Sequence, residues 1–295
     1  MFAQFRLTPI LAAGALALGL SSVAQGQTTT NVNVLDGAGN VIAADVRSFD
    51  ENEAGSGMAL GFTGQQGSTF TFLYQANVVN FNDAFGNVIT PTTGLNAAFA
   101  GGGYEFTVVA SIEETVQSVS TVNGITTVTF EATGGTASIY FDNTASGGAK
   151  SVTSTGVGFD DGHLVGTFDI VAGSGLSTFT TFPNGTGIGA TIYDFVISGG
   201  GVDSDYIVGL LGPINDLHFT SNQNLPVGTS ATTSFHNGVS DAGDLYPTTA
   251  ATGLLLKVDG SNTFTTAIPE PETYALMLAG LGALGFMTRR RRRQS

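Results

Sequence analysis

From residue 68 onward the chain alternates apolar side chains with hydroxyl-bearing ones. In Ser68-Thr-Phe-Thr-Phe-Leu-Tyr-Gln75, Phe70, Phe72 and Tyr74 share one face, the period of two that a half-buried strand requires. A hairpin follows at Val116 to Val122, Asn123-Gly124 and Ile125 to Glu131. Asn-Gly accepts the two positive φ angles of a type I′ turn, and that turn sets Val119 opposite Val128. Thr133-Gly134-Gly135-Thr136 reads as a second turn leading into Ala137 to Phe141, which predicts a three-stranded meander. Later strands are predicted at 163–171, 176–182, 191–197, 216–220 and 254–258, each bounded by Gly, Asn, Asp or Pro. Gly94 to Ala100 is long enough only for a connecting turn of helix. Roughly ten short strands separated by turn signals predict an all-β, β-sandwich-like single domain. No fixed repeat and no long linker divides it, so the domain is expected to span residues 27–267, between segments 1–26 and 268–295 of different character.

Composition sharpens this. The 295 residues include 42 Gly and 39 Thr, with no Cys and no Trp; such glycine content favours turns over long helices. Without Cys there are no disulfides, thiolate metal sites or thiol nucleophiles, and the redox compartment cannot be read from the chain. Asp and Glu outnumber Lys and Arg by 23 to 9. Six of the nine basic residues, Arg6 and Arg289 to Arg293, lie at the two ends, so residues 27–268 hold 21 acidic and three basic groups. A body of net charge −18 repels a polyphosphate backbone, and nucleic acid is excluded as a partner.

Each end has its own logic. Arg6 precedes an apolar stretch from Ile10 to Leu20, and small residues follow at Ser22-Val-Ala24 or Ala24-Gln-Gly26. That is the layout of a secretory signal peptide over residues 1–26, with the Sec export machinery as its partner. Pro9 and Ser21-Ser22 keep the run short of the ~20 residues of a permanent span. At the other end Pro269-Glu270-Pro271 leads into an apolar run from Tyr274 to Met287, then Thr288 and Arg289, Arg290, Arg291, Arg292 and Arg293. The two prolines favour an extended backbone that an enzyme binds without first ordering it. The fourteen-residue run would be ~21 Å long as a helix against a ~30 Å hydrocarbon core. It suits a transient stay in the inner membrane, with the arginines holding its end on the cytoplasmic side.

This tail resembles the PEP-CTERM sorting signal of Gram-negative bacteria, with all three parts in order. The resemblance implies that an exosortase recognises the tail and cleaves near Pro269-Glu270-Pro271, after which the body reaches the cell surface or the extracellular matrix. The body also resembles, more diffusely, the flocculation-associated PEP-CTERM proteins. Gly94 to Tyr104, Ala137-Ser-Ile-Tyr-Phe-Asp-Asn143 and Gly166-Thr-Phe-Asp-Ile-Val171 carry that likeness, within about residues 60–200; the absence of cysteines and the stretch after Gly201 depart from it. It implies a matrix protein that associates with extracellular polysaccharide in flocs or biofilms.

Chemistry in the body is sparse. Gly173-Ser174-Gly175 reads as a turn between strands and not a nucleophile elbow. His163, His218 and His236 have no metal-ligand spacing. Glu113 and Glu114 alternate to opposite faces and cannot act as one carboxylate pair, and a charged strand exterior accounts for them. Gly156 to Gly162 lacks the lysine of a phosphate loop. Calcium is the one cofactor the carboxylates suggest: Asp203 and Asp205, with Asp160 and Asp161, are the loop ligands hard cations select, as are Asp241 and Asp244, although Asp in Gly-rich turns ordinarily serves Asx-type hydrogen bonding. The expected function is that of a non-enzymatic surface or matrix protein. The alternative is a secreted carbohydrate-active enzyme drawing acid and base from Glu105, Glu131 or Asp194; the lack of Trp, a common sugar-stacking ring, weighs against it.

Overall fold

The computed structural model describes residues 26–52, 55–90, 92–152, 156–199, 201–225 and 253–268. The chain divides into two units, Thr28–Thr266 and a second made of Met1–Gln27 with Ala267–Ser295. The second is described at residues 26, 27, 267 and 268 alone, so the signal-peptide segment and the Pro-Glu-Pro tail lie outside the described residues.

The described residues form fourteen strands: β1 (Gly26–Thr29), β2 (Val32–Leu35), β3 (Val41–Val46), β4 (Ser48–Glu51), β5 (Gly55–Leu60), β6 (Thr69–Asn82), β7 (Tyr104–Val122), β8 (Ile125–Asn143), β9 (His163–Ile170), β10 (Leu176–Thr181), β11 (Gly187–Ser198), β12 (Ile207–Gly209), β13 (Asp216–Leu225) and β14 (Gly253–Ile268). Among these residues the helical content is one 3-10 turn, Phe99–Gly101, where the sequence predicts a connecting turn. No helix among them is long and apolar enough to cross a membrane.

The all-β reading holds, and the facing layers belong to one sheet that closes on itself. Antiparallel pairing runs from β6 to β7 to β8. It continues through β9 and β10 to β11, then through β13 to β14. From β14 it returns through β4 and β5 to β6. Strands β9 and β10 lie end to end between β8 and β11, and β4 and β5 do the same between β14 and β6. The result is an eight-position antiparallel barrel, a size whose interior side chains can fill. Strands β2, β3 and β12 form a separate three-stranded sheet.

The β7–β8 hairpin shows how local sequence sets this geometry. Asn123 (φ 53°) and Gly124 (φ 77°) make the two-residue turn, and Val119 faces Val128 as the turn predicts. The predicted turn at 133–136 is corrected: β8 runs through it as one strand of 19 residues. Gly134 and Gly135 instead make a bulge, with Glu113 opposite Gly134 and Glu114 opposite Ala132, leaving Thr133 unpaired. Gly135 (φ 124°) lies so close to Ser111 and Ile112 that any Cβ would overlap their backbone. A Gly-Gly pair inside a long strand bends it around the barrel as readily as it ends it.

Alternation then sorts the side chains. Phe70, Phe72 and Tyr74 of β6 point inward with Phe106, Val108, Ile112 and Val116 of β7 and Phe130, Ile139 and Phe141 of β8. Along the barrel the interior falls into three aromatic layers. Phe62, Phe70 and Phe130 meet edge to face at one end, with centroids 5.2–5.7 Å apart. Phe49, Phe81, Phe106 and Phe264 cluster towards the other, at 5.0–5.9 Å. Tyr74, Phe219 and Tyr193 lie between. Outside, hydroxyls pair across strands: Ser118 with Thr129 (2.7 Å), Thr121 with Thr126 (2.9 Å) and Thr127 with Thr180 (3.0 Å).

Candidate functional site

The middle layer of the barrel is where polar chemistry is buried. Glu51 follows Phe49 in the alternation of β4, and Glu114 lies between Ile112 and Val116 in that of β7, so both carboxyls point inward. Glu113 and Glu114 do alternate to opposite faces, but the charged-exterior reading is corrected for Glu114, which is 3% exposed. Each glutamate meets a tyrosine: Tyr74 Oη donates to Glu51 Oε2, and Tyr193 Oη to Glu114 Oε1. Asn262 Nδ2 donates to the other oxygen of Glu51. Gly260 makes room for the first pair, since a Cβ there would collide with Glu51 Oε2 and Tyr74 Oη. Around the second, Ser177 Oγ donates to Tyr193 Oη (2.8 Å) and lies 3.0 Å from Thr191 Oγ1, while Gln223 Nε2 donates to Thr191 Oγ1 (2.6 Å) and Ser221 Oγ (2.9 Å).

Burial raises the pKa of both acids because it disfavours the charged form. Glu51 is pushed up to about 8, with the nearby charges of Asp50 and Asp259 adding to burial and the bonds from Tyr74 and Asn262 opposing it. Glu114 rises to about 7, opposed by bonds from Tyr193 and Ser177. Both phenols are pushed up as well, by burial and then by the neighbouring carboxyl. Beside Glu114 lies a gap of about 30 Å³, lined by Phe62, Phe130, Phe179, Ser177, Thr191 and Gln223 among others. That is room for a water molecule, and the polar wall supplies its partners. Carboxyls titrating near neutrality are the type that exchange protons in catalysis, but a space of this size does not admit a sugar ring.

Of the carboxylates foreseen for hydrolysis, Glu105 stands far from Glu131. Glu105 is fully buried and accepts from Lys150 Nζ (3.0 Å), Ser151 N (2.6 Å), Ser151 Oγ (2.8 Å) and Asn77 Nδ2 (3.1 Å). It pins Lys150 and Ser151, in the excursion between β8 and β9, to the outside of the barrel. Glu131 is opposite Thr115 on the β7–β8 ladder while Glu105 is opposite Asp142, a separation of ~30 Å along β7. Asp194 and Glu131 lie two strand positions apart, ~10 Å between backbones, on either side of the β9–β10 break, and Asp194 Oδ1 lies 2.6 Å from Nδ1 of its cross-strand neighbour His218. Glycosidase carboxyls sit roughly 5–9.5 Å apart.

Nor do Asp160, Asp161, Asp203 and Asp205 gather around one point: among the described residues no three His, Asp or Glu side chains converge as metal ligands. Asp203 instead organises a turn. Its Oδ1 accepts Asp205 N (2.9 Å), and its carbonyl accepts Tyr206 N (3.1 Å) and Ile207 N (3.0 Å). The Asp205 amide, and then His163 with Nε2 2.9 Å from Oδ2, hold the Asp203 carboxyl below the usual range. The His163 ring stacks on Tyr206 at 4.5 Å. Gly173-Ser174-Gly175 is the break between β9 and β10, as expected, with Gly173 N on Ala132 O (2.9 Å) and Ser174 Oγ on Asp194 O (3.1 Å). His236, Asp241 and Asp244 lie outside the described residues.

Glu51, Tyr74, Tyr193 and Asp142 do not stand out by motif. The phase of alternation did mark Glu114 and Glu51 as inward, since each shares its face with Phe, Ile or Val.

Residues 267–293 match the family model of the PEP-CTERM protein-sorting motif. Pro269, Glu270 and Pro271, the Tyr274–Met287 run and the five arginines all fall inside the match. No curated protein and no solved structure matches the chain. The chain therefore carries the substrate signal for exosortase-type processing, which implies export to the cell envelope or surface of a Gram-negative bacterium.

Proposed function

We propose that this is a non-enzymatic protein of the cell surface or extracellular matrix, released from its transient membrane stop by an exosortase and associated with extracellular polysaccharide in flocs or biofilm. The observation that carries the reading is the sorting motif at residues 267–293. Three features of the body support it: a filled barrel interior, an outer face of paired Ser and Thr hydroxyls across β7, β8 and β10, and a Glu105 committed to Lys150 and Ser151 far from Glu131. Hydroxyl rows offer donors and acceptors to a polysaccharide without desolvating a charge.

Two measurements test it together. Intact mass of the protein recovered from the surface fraction is expected to place the new C-terminus between residues 265 and 275; a mature chain that still ends beyond Arg293 refutes exosortase processing. A deletion strain is expected to lose floc or biofilm mass and to regain it fully with a chain carrying Glu105→Gln, Glu131→Gln and Asp194→Asn. Failure of that chain to rescue, with normal surface levels, favours the enzyme reading.

A further inference from the structure

The described residues of the excursion between β8 and β9, 144–152 and 156–162, pack against the outside of β7 and β8 and bury carboxylates there. Asp142 and Glu105 are direct neighbours across the β7–β8 ladder, and both are covered, at 2% and 0% exposure. The excursion brings Asp161 to the same place, and Lys150 is committed to Glu105. Asp142 Oδ1 accepts Ser146 Oγ, and Asp161 Oδ2 accepts Ala149 N (2.9 Å). The remaining oxygens, Asp142 Oδ2 and Asp161 Oδ1, are buried and have no hydrogen-bond partner.

Those two orphaned oxygens point to one spot. A Cβ on Gly148 would collide with both Asp142 Oδ2 and Asp161 Oδ1, so the missing side chain of Gly148 opens the space between them. Two carboxylates facing each other away from water repel, and each has one oxygen whose desolvation no hydrogen bond offsets. The Asp142 carboxyl lies above its usual range, through burial first and to a lesser degree through the charges of Asp161 and Glu105, against the bonds from Ser146 and the Asn143 amide. A buried acidic pair of this kind is stable when a cation sits between its members.

We propose that a calcium ion binds between Asp142 and Asp161 at Gly148, fixing the 144–162 excursion to the barrel wall. Calcium accepts irregular oxygen shells completed by backbone carbonyls and water, which suits a loop that supplies only two carboxylates; magnesium demands a near-octahedral set. Sites in extracellular modules bind with dissociation constants of ~0.1–1 mM, and an exported protein meets calcium in that range.

The test uses the purified full chain, stripped with chelator and melted with chelator, with about 10 mM calcium, or with the same concentration of magnesium. Calcium at roughly tenfold over the dissociation constant raises Tm by about 3–6 °C in a domain of this size, and titration calorimetry gives one calcium per chain. Asp161→Asn, which keeps the acceptor for Ala149 N, abolishes the increment. Asp142→Asn removes the repulsion, so it melts above the parent in chelator and gains nothing from calcium. Identical parent melts in calcium and chelator overturn the proposal, as does an undiminished calcium increment in both variants, which would place the ion elsewhere. An equal increment from magnesium overturns the assignment to calcium.

Discussion

Replacing Glu51 with Gln tests the account of the barrel interior most directly. In the fold Glu51 stays protonated up to about pH 8, whereas in the unfolded chain it ionises near its ordinary value of 4.5. Between these values the native state binds the extra proton, so stability falls as pH rises; the contribution is fully present below pH 4.5 and gone above about 8. At ~1.4 kcal/mol per pH unit, the loss across that window is roughly 5 kcal/mol. The neutral amide that Glu51→Gln introduces has the shape of the protonated acid and does not titrate. It also finds its partners: Tyr74 Oη still donates to an oxygen, and the new NH₂ can meet Asn262 Oδ1, which is buried and otherwise unpartnered, once that amide turns over. Parent and variant are therefore expected to melt alike near pH 4.5 and to diverge steadily, until at pH 8 the variant melts ~10 °C or more higher. Calorimetric melts at half-unit intervals from pH 4.5 to 8.5 measure this. Parallel curves across the range would show that Glu51 ionises in place without cost, and the reasoning from burial would be wrong.

Two further perturbations probe the wall and the turns. Glu105→Ala takes the acceptor from Ser151 N and the Lys150 ammonium and leaves Asn77 Nδ2 only Ser151 Oγ, and is expected to cost ~2–4 kcal/mol. Since Lys150 is one of only three basic residues in the body, trypsin should nick the variant after Lys150 while the parent resists; equal resistance counts against the clamp. Gly124→Val forces a β-branched residue to φ 77°, costing ~1–3 kcal/mol and lowering Tm by a few degrees with no effect on the interior pairs. A melt unchanged by Gly124→Val would mean the hairpin holds its register without the type I′ turn.

Local order was legible wherever a short-range rule decides it. The Asn-Gly turn fixed the pairing of Val119 with Val128, and the starts of β9, β10, β13 and β14 fall within a residue of the positions that punctuation predicts. Closure was not legible, because it rests on β14 pairing with β4 and β5 across most of the chain, and alternation says which residues share a face without saying which strand lies alongside. The Gly134-Gly135 pair shows the same limit: turn and bulge need the same backbone freedom, and the tertiary demand for curvature chose between them. At Glu114 charge and phase point opposite ways, one outward and one inward, and in the fold a tyrosine-bonded carboxyl that burial raises to about 7 reconciles them. Asp142 is different. Its phase points outward from Phe141 and Ile139, and only the returning 144–162 excursion buries it, so no window of sequence around it contains that fact.

The bond between Asn262 and Glu51 spans 211 residues, and it joins the strand that finishes the barrel to one that begins it. A chain made from its N-terminus has β4, β5 and β6 in hand long before β14 emerges. Until then two sheet edges stay open, and such edges pair with whatever strand is near. The closing strand ends at Ile268, immediately before Pro269. The last residues that seal the described barrel thus emerge together with the sorting motif, and a chain that stops before β14 lacks the motif as well as the seal. Complete translation of the described barrel is thereby a precondition of carrying the sorting signal.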